Sequence, residues 1–434
     1  MTEIDWSRRV TLAARWVIPG DGRVLSPGCI ELDDGVVSDL YESPSRQLSA
    51  SDRRREQVVD LGDAAIIPAL INAHTHLEFS DLASPVTPAC PFAAWIRQVI
   101  ATRRRRVHSI QEAVQQGWAE VCRAGGGFVG EICTDNSAAD ELQRVGCEGV
   151  IFRELLGLSD EAIEKQMEFA RQFLQGSVFG PGIQEPPDPK ARILKRGLSP
   201  HAPYSVHPEL FVQLIEFACE TSVPVAMHLA ETTEELQLLT DRSGPLVDLF
   251  EEMGLWRPQL FEASRRPKHY LDQLAETTRA LVVHGNYLDE SELRMLVEQK
   301  SMTLVYCPRT HHQFGHRDHP WLKLRKAGGR VVIGTDSRAS NPDLNLFAEL
   351  QWLHSRHPEV APLQYLKMVT VDAATALGLP AETGSLFVGM VPRLAVVRWP
   401  ESRGPVNVTD LLTGGIFRQS TLHQLWLGGS ICTD

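Results

Sequence analysis

The chain has 434 residues, of which 43% are hydrophobic and 23% charged, and a formal charge of −12. That length exceeds what one small core serves, so a large barrel or two domains is expected, and the acidic balance argues against broad binding to nucleic acid or anionic membranes. Eight scattered cysteines without a CxxC pair, a start lacking an apolar signal core, and no run near the roughly 18 apolar residues of a membrane span suggest a cytoplasmic protein with free thiols.

Residues 9–65 read as short strands broken by Asp-Gly turns, as in "CIELDDGVVSDLY". From residue 66 to 378 short apolar runs alternate with helix-length amphipathic segments. Eight runs are strand candidates: "AIIPALINAH", "GGFVGEICT", "GVIFREL", "RGLSPHAP", "VPVAMHLAE", "ALVVHGN", "MTLVYCP" and "RVVIGTDS". A Pro/Gly-rich stretch, "GSVFGPGIQEPPDPK", interrupts the helix before the fourth. The basic runs Arg53–Arg55 and Arg103–Arg106 read as a solvated loop and a solvated helix face. The C-terminus returns to strands with "TGSLFVGMVPRLAVVRW", "GPVNVTDLL" and "STLHQLWLGGSI". The expected fold is α/β: a (β/α)8 TIM-type barrel over 66–378, with a small composite β-sandwich domain built from 1–65 and 379–434.

The strand ends carry the chemistry. In "INAHTHLEFS" an extended backbone puts His74 and His76 on one face and Thr75 on the other. Two imidazoles so placed can grip one metal ion, or can be unrelated polar residues at a strand end. Strand four ends at His201, strand five at His228 and Glu231, strand six at His284 and strand eight at Asp336. The C-terminal mouth of such a barrel is where active sites form. Three histidines and one carboxylate around a point make a zinc-type site with room for water.

The ordered set "HTH", "SPHAPYSV", "MHLAE", "VVHG" and "GTDS" resembles the amidohydrolase superfamily. Within it, the chain is similar to the cytosine deaminase-like branch that includes chlorohydrolases and adenosine-type deaminases. "PFAAWIRQVIATRRRR" and "FRELLG" are similar to segments of aminofutalosine-deaminase-like proteins. The resemblance implies one divalent metal, zinc or iron, on His74, His76, His228 and Asp336. It implies that Glu231 shuttles protons, that His284 and Asp336 orient the attacking water, and that His201 binds the heterocycle. Glu78 and Trp95 are expected in the substrate site. Water activated by the metal would attack an amidine carbon while Glu231 protonates the ring, and ammonia would leave. Strand four offers Ser199 and His201, with Lys195 too early to bridge two ions, which favours a single metal.

The sequence departs from many adenosine-type deaminases of the group at "CPRTHHQFGH", where they show "CPxSNxxL". Residues 310–316 are therefore expected to build a different substrate wall. Arg309, directly after strand seven, is expected at the barrel mouth as a bidentate clamp for a substrate carboxylate. The implied activity is deamination of an aminopurine nucleoside such as aminofutalosine, S-adenosylhomocysteine, methylthioadenosine or adenosine. The alternative on the same fold is chloride or alkylamine removal from an s-triazine. A non-catalytic barrel is disfavoured because all four ligand positions are filled. A small-molecule substrate is implied, and the family suggests a homodimer.

Overall fold

Runs rich in Val, Ile and Leu, bounded by Gly, Pro, Asn or Asp, become sixteen strands among the described residues. Those residues, in a computed structural model, are 9–42, 56–176, 193–261, 265–398 and 421–426. The strands before the barrel are β1 (Arg9–Ala14), β2 (Trp16–Val17), β3 (Gly28–Asp33), β4 (Val36–Glu42), β5 (Glu56–Asp60) and β6 (Ala64–Pro68). The barrel strands are β7 (Leu70–Thr75), β8 (Gly126–Cys133), β9 (Gly149–Leu155), β10 (Leu194–Pro200), β11 (Val225–Leu229), β12 (Ala280–His284), β13 (Met302–Tyr306) and β14 (Val331–Ile333). Two more, β15 (Leu394–Arg398) and β16 (Thr421–Trp426), complete the set.

β7 to β14 form one eight-stranded sheet in sequence order, each strand parallel to its neighbours. Helices cover its outside, so the strands are buried on both faces and read as continuous apolar runs. Ile71, Phe128, Val150, Phe152 and Val283 are among the side chains that fill the interior. The sheet nearly closes on itself. Thr75 and Asp336 form a parallel bridge, and the Asp336 N–H donates to the His74 carbonyl at 3.0 Å. The Asn72 amide donates to Thr335 Oγ1 at 2.8 Å and accepts from the Thr335 N–H at 3.1 Å. A Cβ on Gly334 would lie 2.8 Å from His74 Cβ and 2.9 Å from its carbonyl oxygen, so any side chain there would push this seam apart.

The expected first barrel strand, "AIIPALINAH", is in fact two. β6 pairs antiparallel with β15 and parallel with β2, whereas β7 enters the barrel. Pro68 has no N–H to continue a ladder, and the next donor, Ala69, turns to the Arg393 carbonyl at 2.8 Å. The terminal sheet thus runs past residue 65. Its order is β16-β15-β6-β2, mixing strands from both ends of the chain, beside a second sheet ordered β4-β3-β1-β5. A buried pair, Arg393 Nε to Glu148 Oε2 at 2.9 Å, ties this layer to the start of β9. The segments 177–192 and 399–420, which hold most of "GSVFGPGIQEPPDPK" and "GPVNVTDLL", and the run Arg53–Arg55, lie outside the described residues. The described cysteines are free, and no described helix is long and apolar enough to cross a membrane.

Candidate active site

Four strand ends meet at the barrel mouth. β7 carries His74 with His76 just beyond it, β11 carries His228, β12 ends at His284, and Asp336 lies just past β14. The His74 ring lies 4.8 Å from that of His76 and 5.0 Å from that of His228, and 5.9 Å from that of His284. His76 Nε2 and His228 Nε2 are 3.4 Å apart, and both His74 Nε2 and His76 Nε2 are 3.7 Å from Asp336 Oδ1. Zinc bonds of about 2.1 Å in tetrahedral array space their ligands by roughly 3.4 Å, so the set fits a small divalent cation. His74 Nε2 is buried and has no hydrogen-bond partner, as a ligand nitrogen should be. Burial, reinforced by the neighbouring imidazoles, holds His74 and His76 well below the ordinary histidine range and His228 at about 4. All three are therefore neutral, the form that binds metal. His228 Nδ1 faces the His201 carbonyl at 3.0 Å, which directs its Nε2 into the cluster.

Thr75 points away from this cluster, and its hydroxyl donates to Glu131 on β8. Glu131 also accepts from the Leu77 N–H at 2.8 Å, so one buried carboxylate holds the turn that leads from the two histidines into the single helical turn Leu77–Phe79.

Glu231 sits three residues past His228, after a chain reversal at Ala230, whose φ is +52°. Glu235 accepts from the Ala230 and Glu231 N–H groups at 2.8 Å each, and Asn286 Nδ2 donates to the Glu231 carbonyl at 2.8 Å. The Glu231 carboxyl lies 3.5 Å from His284 Nε2. Burial, and then the nearby Asp336 charge, push it well above the usual carboxylate range, the direction that favours its protonated form. His284 and Asp336 also have left-handed backbones, at φ +69° and +59°. Side chains strain such backbones, and their gathering at one mouth marks a functional region. Asp336 Oδ1 accepts from the Ser337 N–H and Oδ2 from the Ser340 hydroxyl, both at 2.7 Å, while burial raises its carboxyl to about 6.

A cavity of about 310 Å³ opens above the cluster. His76, His228, Glu231, His284 and Asp336 form its floor, with His201 and Ser205 beside them. His201 Nδ1 and Ser205 Oγ are 2.6 Å apart, leaving Nε2 of a neutral imidazole toward the cavity. The wall is apolar and comes largely from the helix Phe92–Arg104, through Trp95, Val99 and Ile100, and is completed by Tyr204, Phe250 and Met253. Glu234 fixes that helix by accepting from the Phe92 and Ala93 N–H groups at 2.7 and 3.0 Å. Trp95 stacks on Phe92 and meets Phe314 edge-on.

Arg309 departs from its expected place. It lies outside the cavity, with Nε donating to Glu349 at 2.6 Å and Nη2 to Asp343 at 2.6 Å. Pro308 starts a short helix directly after strand seven, and this turns the guanidinium toward carboxylates rather than the mouth. Residues 310–316 likewise stand behind the wall, through Phe314, and do not line it. Glu78 is also one layer back: its carboxylate accepts from the Thr134 N–H and hydroxyl and lies 3.6 Å from Arg103 Nη2. Arg103, read as part of a solvated face, lines the cavity, over the Phe79 ring at 4.7 Å, and is the one Lys or Arg among the described lining residues. Its neighbour Arg106 pairs with Asp81 at 3.3 Å. Sequence reading also missed Glu154, which lines the cavity from the end of β9.

Residues 65–416 match the Amidohydrolase family. A 5-methylthioadenosine/S-adenosylhomocysteine deaminase of Syntrophobacter fumaroxidans is 27% identical over 87% of this chain and 81% of its own length. An aminodeoxyfutalosine deaminase of Deinococcus radiodurans is 29% identical over 69% of this chain and 70% of its own. The crystal structure of Helicobacter pylori aminofutalosine deaminase in complex with methylthio-coformycin shares the fold, with a TM-score of 0.81 at 21% identity over 98% of this chain and 100% of that one. Given the matched span, together with the nearly closed eight-stranded barrel, the chain belongs to the amidohydrolase family.

Proposed function

We propose that this hydrolase of carbon–nitrogen bonds deaminates an aminopurine nucleoside, releasing ammonia, with one zinc ion on His74, His76, His228 and Asp336. Iron is the second candidate for the same donor set. The observation that carries the reading is the buried Glu231 carboxyl beside that set, 3.5 Å from His284. Chloride leaves as a stable anion without a proton, whereas an amino group must be protonated to leave. A carboxyl acid at this point therefore favours deamination over chloride release from a triazine. Relatives named as nucleoside deaminases, and a cavity of about 310 Å³, support the nucleoside.

A divalent cation in the cluster would supply an activated water at neutral pH. The protein's own groups then have distinct roles. Glu231 donates its proton to the ring nitrogen and later relays one to the departing amine. His284 and Asp336 hold and orient the water. His201 Nε2 meets the heterocycle from the side. The apolar wall excludes bulk water and accepts whatever apolar group extends from the sugar. Arg103, and not Arg309, is the cation available to a distal anionic group. Ammonia release from adenosine, 5′-methylthioadenosine, S-adenosylhomocysteine and aminofutalosine, measured against an s-triazine control, tests the proposal. Release of chloride or alkylamine from the triazine, with no ammonia from any nucleoside, would refute it.

A further inference from the structure

We infer that Glu154 is a specificity-determining residue that accepts hydrogen bonds from two neighbouring hydroxyl groups of the substrate, the diol of a ribose. The inference rests on the nucleoside reading above.

Glu154 is the second-last residue of β9 and only 6% exposed, yet it reaches the cavity. Among the described residues no donor lies within hydrogen-bond distance of its carboxylate; the closest basic nitrogen is His201 Nε2, at 4.0 Å. A buried carboxylate without a partner is costly, and this one faces the space a ligand would fill. Neither nearby arginine pairs with it. Strand alternation sends Arg153 to the opposite face, where it lies over Phe169 and donates to the Cys133 carbonyl at 3.4 Å. Arg103 is drawn to Glu78.

Glu154, His201 and His228 bring ligand atoms within 4.8 Å of one another, which raises the question of a second metal. The chemistry of His228 answers it. Its Nδ1 is committed to the His201 carbonyl, and its Nε2 lies in the first cluster. One imidazole nitrogen has one lone pair in the ring plane and cannot serve two ions. What remains is an acceptor pair of oxygens beside a neutral histidine. The Glu154 carboxylate lies beside the floor, 4.0 Å from His201 Nε2. His228 on the floor is on one side, and Leu156 to Leu158, just after Glu154 in the chain, form part of the outer wall. A ring held over the floor beside His201 would place its sugar next to Glu154 and its further substituent among the apolar side chains. Two carboxylate oxygens match two hydroxyls on adjacent carbons, and such charge-assisted bonds are among the stronger ones.

The test uses the metal-loaded full chain and two pairs of probes: adenosine and 5′-methylthioadenosine, each with its 2′,3′-dideoxy counterpart. In the wild type, removing the diol should lower kcat/KM by about 10- to 100-fold, mostly through KM, the size expected for hydrogen bonds to a charged acceptor. Glu154→Gln, which keeps one acceptor oxygen but loses the charge, should shrink that preference by slowing the diol substrates more than the dideoxy ones, with metal content unchanged. Glu154→Asp, which keeps the charge but shortens the reach, should fall between them. A wild type indifferent to the diol, or a Gln variant that slows both members of a pair equally, overturns the inference while leaving nucleoside deamination intact. Loss of a metal equivalent in Glu154→Gln overturns it in favour of a ligand role. Failure of the wild type to deaminate these four, and S-adenosylhomocysteine and aminofutalosine as well, overturns the nucleoside reading and this inference with it.

Discussion

The floor and the wall of the cavity are built on different principles. Every residue of the floor sits at or just past the end of a barrel strand, where the register of a parallel sheet sets its height. Carboxylates one layer out hold the turns: Glu131 beneath the His-Thr-His segment and Glu235 beneath Glu231. The wall comes from a helix and loops laid over the mouth, anchored by caps and ring contacts such as Glu234 and the stack of Phe92 on Trp95. Strand ends can be exchanged only with loss of register, whereas a helix can change its lining without disturbing the sheet. The floor thus fits chemistry that does not vary, and the wall fits a choice among substrates.

The sharpest break in this comparison is to remove a floor ligand. His228→Ala should abolish activity and release the metal together; a purified variant that is active and metal-free would refute the metal assignment. Next, Glu231→Gln should keep metal and fold while kcat falls by about 10²- to 10⁴-fold, the usual cost of losing a general acid–base. Normal turnover would reduce Glu231 to a structural carboxylate. Behind the wall, Arg309→Met should leave KM unchanged but destabilise the fold by about 3–5 kcal/mol, because Glu349 is fully buried and would lose its charged partner. Urea unfolding measures this, and a change in KM alone would return Arg309 to the substrate. In the wall itself, Arg103→Met should raise KM for a nucleoside with a distal carboxylate by roughly tenfold, less than a buried pair because Arg103 is 37% exposed. Neutral nucleosides should not notice.

The smallest effect separates the two layers by pH. Burial holds His311 and His316 at about 4 and His319 at about 3, below the ordinary 6.5. As pH falls through 6.5 the unfolded chain takes up protons that these folded groups refuse, so stability declines between about pH 6.5 and 4. Replacing one of them, His316→Gln, should reduce the loss between pH 7 and about pH 5.7 by about 1 kcal/mol, read from unfolding curves at both values. An unchanged loss would mean that His316 is not kept neutral by the fold.

The floor was legible in the sequence because strands have a period of two and a barrel has one mouth. His74, His76, His228, His284 and Asp336 each come after an apolar run, and that pattern needs no long-range knowledge. Arg309 was misplaced because sequence shows that it comes after a strand but not that Asp343 and Glu349, 34 and 40 residues later, would fold back to meet it. Arg103 was misread for a different reason. Trp95, Val99 and Arg103 recur every four residues and so share one helix face, a stripe that the neighbouring arginines obscured. The split of "AIIPALINAH" hinged on Pro68, whose meaning depended on a partner strand more than 300 residues away.

The barrel seam between β7 and β14 gives the proposed metal ligands a further property, one of timing. His74 and Asp336 face each other across that seam, joined by a backbone bond, yet they are separated by most of the chain. The donor set therefore does not exist until the last barrel strand has docked beside the first. A contact that long in sequence closes late and slowly. A cation cannot nucleate this fold in the way it nucleates a small zinc module. Once held, though, it would act as a clasp at the final closure, raising the barrier to opening where first and last strands part. Chelation should then speed unfolding more than it slows refolding.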